Sequence, residues 1–94
     1  MPRRPQEVEW HPDAEEALDR LVELDARYAD LGKAIDSLIL IFWDRPERLG
    51  SRTEYGGREG WCFRPEPQFP GMREVVVVYW SDHGPFVGGL VLVQ

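Results

Sequence analysis

Apolar residues alternate with polar ones at the start of this chain, then fall into helical spacing, then return to strand-like runs. Val8 and Trp10 alternate with Glu7 and Glu9, which predicts a short, half-buried strand. From Pro12 the period changes. Ala14, Ala17, Leu18, Leu21, Leu24, Tyr28 and Leu31 recur at helical spacing, with Glu15, Glu16, Asp19 and Glu23 on the other side. That pattern predicts an amphipathic helix whose stripe faces a core. Pro12 suits a first helical turn, and Asp13 followed by Glu16 imitates a capping box. Asp30-Leu31-Gly32 reads as a turn. A second helix follows through Ala34, Ile35, Leu38, Ile39, Ile41 and Phe42. It is apolar nearly all round after Ser37, so both its sides should be covered. Pro46 should end it, because the residue before a proline is pushed out of the helical region.

Residues 44–59 are polar and contain Gly50, Gly56 and Gly57, which predicts a loop with room for one short strand. Trp61-Cys62-Phe63-Arg64 is strand-like. Pro65, Pro67 and Pro70 then mark a connector that cannot form a regular ladder. Residues 73–80 give the strongest strand pattern. Both faces of it are apolar, which places it in the middle of a sheet. Ser81-Asp82-His83-Gly84-Pro85 reads as a hairpin turn, with residues 86–93 pairing back antiparallel. Gly88-Gly89 inside that last strand predicts a bulge or a close approach by another chain.

Ninety-four residues make a single domain, 1–94, with residues 1–6 read as a flexible terminus. Four Trp, four Phe and three Tyr can build much of a small core. The lone Cys62 excludes an internal disulfide framework, and between two rings it reads as a small buried apolar residue. Neither a signal-peptide pattern nor a bilayer-length apolar run occurs, so no membrane partner is expected and the expected location is cytoplasmic. The net charge is −6, and residues 1–30 hold nine acids against four bases. A nucleic-acid partner is therefore opposed overall, although Arg45, Arg48, Arg52, Arg58, Arg64 and Arg73 could form a local patch. The plainer reading of those arginines is a solvated loop region.

No metal site is expected: His11 and His83 stand alone, and Cys62 has no Cys partner at ligand spacing. No phosphate-binding glycine loop or nucleophile elbow occurs, and no cofactor is expected.

The helix entry Pro12-Asp13-Ala14, the second helix ending at Pro46, Leu49-Gly50, the strand Trp61 to Arg64, and Arg73 opening a valine-rich strand follow one another in a β-α-α-β-β-β order. Over residues 7–93 this order resembles the RelE/ParE superfamily of small bacterial toxins. The resemblance implies an α+β fold with an N-terminal strand and a two-helix hairpin packed on a small antiparallel sheet. It implies a toxin of a type II toxin–antitoxin system, acting on ribosome-bound mRNA or on gyrase, with a cognate antitoxin as partner. RNA cleavage would need a base for the 2′-hydroxyl, a cation for the phosphate and an acid for the leaving oxygen. Arg64 and Arg73 match the family's sheet arginines by position. Tyr79 or His83 could serve as acid or base, and Arg52 and Arg58 could bind the target.

The residues also carry plainer readings. Tyr79 alternates with Val75 and Val77 as a core residue would, His83 sits in a surface turn, and Arg64 and Arg73 have Glu66 and Glu74 nearby. The family's catalytic members end on a basic or aromatic tail, whereas the last cation here is Arg73, which disfavours ribonuclease activity. The alternative is a non-catalytic protein-interaction domain of the same fold, a degenerate toxin or accessory protein. An unrelated α+β domain sharing the pattern is a third reading. Free sheet edges also predict a homodimer.

Overall fold

The computed structural model describes residues 7–93; the expected flexible terminus at 1–6 lies outside them. The alternation at Val8–Trp10 becomes β1 (Glu9–Trp10). Pro12 opens α1 (Pro12–Leu24), but the cap is His11, whose Nδ1 accepts the Asp13 N–H at 3.1 Å.

The first break falls earlier than the Asp30-Leu31-Gly32 turn that the sequence predicts. At Asp25 the backbone turns extended, with φ −157° and ψ 116°. The Asp25 carboxylate accepts the Arg27 N–H at 3.0 Å and holds the Arg27 guanidinium at 2.7 Å. A short side chain able to bond the backbone just ahead competes with the helix in this way. One 3₁₀ turn follows (Ala26–Tyr28), and α2 (Ala29–Ile41) runs straight through Gly32. Gly32 is a packing residue: a Cβ there would lie 2.7 Å from Leu18 Cδ2, so its lack of a side chain lets α1 and α2 approach. Pro46 does not end α2, which stops at Ile41. It opens a further helical turn, α3 (Pro46–Leu49), where its missing N–H costs nothing.

The remaining polar stretch, where the sequence leaves room for one short strand, holds β2 (Ser51–Tyr55), which pairs throughout with β3 (Arg58–Phe63), a strand that starts before the predicted Trp61. Gly56 and Gly57, with φ 60° and 77°, supply the two positive-φ residues that a two-residue hairpin turn requires. β4 (Val75–Trp80) and β5 (Phe86–Leu92) complete a five-stranded sheet in the order β1-β5-β4-β3-β2. The sheet is mixed, not antiparallel as expected. β1 pairs parallel to β5, Glu9 opposite Phe86 and Trp10 opposite Val87. The helices carry the chain from β1 to the far edge at β2. Three successive reversals then bring β5 back alongside β1 in the same direction.

The core lies between the helices and one face of the sheet. Leu21, Tyr28, Leu31, Ile35 and Ile39 meet Phe63, Val75, Val77, Tyr79 and Val87. Each such aliphatic side chain, fully buried, contributes roughly 1.5–3 kcal/mol. The outer side of α2 stays open at its end, where Ile41 is 49% exposed, so the helix is not covered on both sides as expected. No helix among the described residues is long and apolar enough to cross a membrane.

Candidate functional site

Among the described residues no helix lies over the second face of the sheet. Val78 and Trp80 are nevertheless buried there, because the protein covers this face with its own rings. Trp80 Nε1 donates to the Glu59 carbonyl at 2.8 Å, and the Arg58 guanidinium lies 4.7 Å from the centre of the Trp80 ring. The pairing register jumps between Val78–Gly89 and Tyr79–Val87, leaving Gly88 as the extra residue of a bulge. The close approach predicted at Gly88-Gly89 is made within this chain. The Trp80 ring covers Gly88 and the Tyr55 ring covers Gly89.

The predicted site residues are distributed around this frame and do not form one constellation. Arg58 donates to both carboxylate oxygens of Asp82 at 3.0 Å. His83 is exposed in the same turn, its Nε2 3.8 Å from Asp82 Oδ2, so Arg58 and His83 converge on one carboxylate. Arg52 lies over the Trp61 ring at 5.0 Å and pairs with Glu59 at 3.2 Å. Arg64 pairs with Glu74 at 3.0 Å, one of the two acids its plainer reading named. Arg73 is exposed, and its backbone N–H donates to the Tyr28 hydroxyl at 2.9 Å.

Tyr79 is 1% exposed, and its hydroxyl donates to the Pro46 carbonyl at 2.7 Å. Burial pushes the phenol well above its ordinary pKa, with Cys62 and Glu47 adding to the effect. A hydroxyl held this way neither reaches solvent nor yields its proton near neutral pH. No group of three or more potential metal ligands occurs among the described residues.

Two concave surfaces remain. One is an open groove of about 930 Å³ between α2 and the end of β3, lined mainly by apolar atoms and edged by Cys62, Arg64, Glu66 and Gln68. Cys62 is only half-buried there.

The other is a slot of about 500 Å³ between α1 and β5, lined by Ala17, Arg20, Leu21, Leu24 and Leu90–Leu92. Its origin is topological. β1 pairs with β5 only at Phe86 and Val87 before the chain turns into α1, so the outer edge of β5 beyond Val87 has no paired strand among the described residues. Two of the most exposed large apolar side chains, Leu24 (73%) and Val91 (43%), both line this slot. Of its lining residues only Arg20 is charged, and Arg20 is already engaged by Glu16 at 2.7 Å; Asp13, Glu15, Asp19 and Glu23 make the rest of α1 acidic. Sequence reasoning missed this site, since Leu24 sits in register with the core stripe and Val91 in a strand pattern. The nearest signal was the shortness of the first strand.

No protein-family profile, curated protein or solved structure matches this chain.

Proposed function

We propose that this chain is a non-catalytic protein-interaction domain, and that it binds a basic, extended segment of another polypeptide in the slot between α1 and β5. The observation that carries this reading is the convergence of exposed Leu24 and Val91 on a strand edge that has no paired strand among the described residues. An added strand would take up those hydrogen bonds, and its alternate side chains would cover Leu24 and Val91. The acidic composition of α1 and the net charge of −6 favour a cationic partner. The sheet arginines support the same reading, because Arg52, Arg58 and Arg64 are each engaged by a carboxylate of this chain.

The test is fluorescence anisotropy of a labelled peptide of alternating lysine and valine, titrated with the purified protein. Binding that weakens with salt and is lost in the Leu24→Glu/Val91→Glu variant, but kept in Arg64→Ala, supports the slot. Equal binding by the double variant refutes it.

A second reading is favoured by the general order of one strand, then helices, then a run of antiparallel strands: a RelE/ParE-like toxin held by an antitoxin and acting on translation or gyrase. Inducing the gene alone in a bacterial host separates the two. Growth arrest abolished by Arg64→Ala/Arg73→Ala supports a toxin working through the arginines. Unimpaired growth at good expression supports the interaction domain.

A further inference from the structure

The opposite edge of the sheet carries a different message. Among the described residues β2 is paired on one side only, with β3, and four of its five residues are exposed. The two-residue turn at Gly56-Gly57 is closed by the pair Tyr55–Arg58, which fixes the direction of every backbone group in the strand. Tyr55, Thr53 and Ser51 bond to β3, so Arg52 and Glu54 point their N–H and C=O groups outward.

A second copy of the same strand can meet these groups antiparallel in three registers. Centring the twofold axis on Arg52 sets arginine against arginine, and centring it on Glu54 sets glutamate against glutamate. Centring it on Thr53 sets Arg52 of each copy opposite Glu54 of the other, and only this register uses the outward groups of both residues. Opposite charges directly across a strand pair are favourable, and like charges are not.

We propose that the chain forms a twofold homodimer through β2, with Thr53 on the axis and the two sheets joined edge to edge. The charge distribution fits a second copy at this edge. The β2–β3 hairpin is locally neutral, with Arg52 and Arg58 against Glu54 and Glu59. The acidic helix α1 packs on β5, three places from β2 in the sheet order and next to the opposite edge strand β1, so the dimer holds the two acidic surfaces far apart. Within one copy Glu54 lies directly across from Glu59, and Glu54 makes no ion pair among the described residues. The Thr53-centred register brings Arg52 of the second copy, which bonds Glu59 of its own copy at 3.2 Å, opposite Glu54 as a cation shared between the two glutamates. This contact is separate from the slot on β5, so the two stand or fall independently.

Sedimentation equilibrium on the full chain tests the proposal. A contact of this size is at the low end for specific interfaces, so the expected Kd lies between about 1 μM and 1 mM. Arg52→Glu and Glu54→Arg should each weaken self-association roughly tenfold, because both symmetric pairs become like-charged. Mixing those two variants should restore association as a heterodimer, since every cross-axis pair again joins opposite charges. Glu54→Pro should give a monomer with an unchanged far-UV spectrum, because it removes an outward N–H and leaves the ladder to β3 intact. A wild type that stays at 10.9 kDa up to about 1 mM overturns the proposal. So does a mixture that stays monomeric while the wild type dimerises.

Discussion

Replacing Gly88 by alanine probes the self-covered face of the sheet. A Cβ at this position would lie 1.5 Å from Trp80 Cζ3 and 2.1 Å from Cη2. Ordinary carbon–carbon contact is about 3.5–4.0 Å, so the overlap is roughly 2 Å, far beyond what small shifts absorb. Trp80 cannot yield easily. It is 7% exposed, its Nε1–H is bonded to the Glu59 carbonyl, and Arg58 lies over its ring. Either the ring leaves or β5 moves. Expelling a ring that buries roughly 150–250 Å² forfeits about 4–6 kcal/mol at about 25 cal/mol per Å², and the hydrogen bond adds about 1 kcal/mol. Partial relaxation recovers some of this, which leaves an expected loss of about 2–4 kcal/mol. A chain of this length has roughly 5–14 kcal/mol in total.

Gly89→Ala is the matched control. Its Cβ would meet the Tyr55 ring at 2.8 Å, but Tyr55 is 39% exposed and can swing outward, so the expected loss stays under about 1 kcal/mol. Urea unfolding followed by Trp fluorescence and circular dichroism measures both, with the slope m serving as the check that the native state is unchanged. Equal losses for the two variants, or a Gly88→Ala variant within about 0.5 kcal/mol of wild type, refute the packing argument.

Tyr79→Phe should cost about 0.5–1.5 kcal/mol in thermal or chemical unfolding, because the bond to the Pro46 carbonyl at 2.7 Å is lost while that carbonyl keeps the Gly50 N–H at 3.1 Å. It should leave any growth phenotype untouched, and a phenotype that disappears would restore a chemical role for the hydroxyl. Asp36→Asn carries a pH signature. Burial raises the Asp36 carboxyl above its ordinary pKa, opposed in part by the Trp10 Nε1–H donated at 2.6 Å. A carboxyl raised on folding contributes stability at low pH that is lost as pH rises through its folded pKa. Asparagine keeps an acceptor for Trp10 without the ionisation. The variant should therefore melt higher than wild type at pH 7, and the difference should vanish as pH falls below about 4. A lower melting temperature at pH 7 would mean that the charged hydrogen bond outweighs the burial.

The hydrophobic pattern located much of the core correctly. Tyr28 and Leu31 are buried as their spacing in the first apolar stripe implied, and β4 lies inside the sheet as its two apolar faces required. The pattern failed at Leu24, which continues the stripe of α1 yet is 73% exposed, because the Asp25 cap ends the helix one residue later. It also took Gly32 for a break. A glycine in a helix that admits a neighbour's side chain looks the same in sequence as one that stops the helix. In the β2–β3 hairpin the pattern shows a strand only from Trp61, inside β3, and leaves mere room for a short strand at β2, because β2 and the start of β3 are polar. A strand with an exposed face and edge needs little apolar patterning, and its turn glycines were the better signal.

The candidate site was less legible. Arg58 reaches Asp82 across 24 positions, and Trp80 lies over Gly60 from one strand and Gly88 from another. The sequence by itself determined which segments become helices and strands, which faces seek burial and where acid accumulates, because these depend on neighbours within a few residues. Only the tertiary structure decided that the sheet is mixed, that Arg52, Arg58 and Arg64 meet carboxylates, that Tyr79 is sealed, and that β5 beyond Val87 and β2 have edges with no paired strand among the described residues. Each of those depends on which distant strands lie side by side, and hydrophobic periodicity carries no information about the order of strands in a sheet.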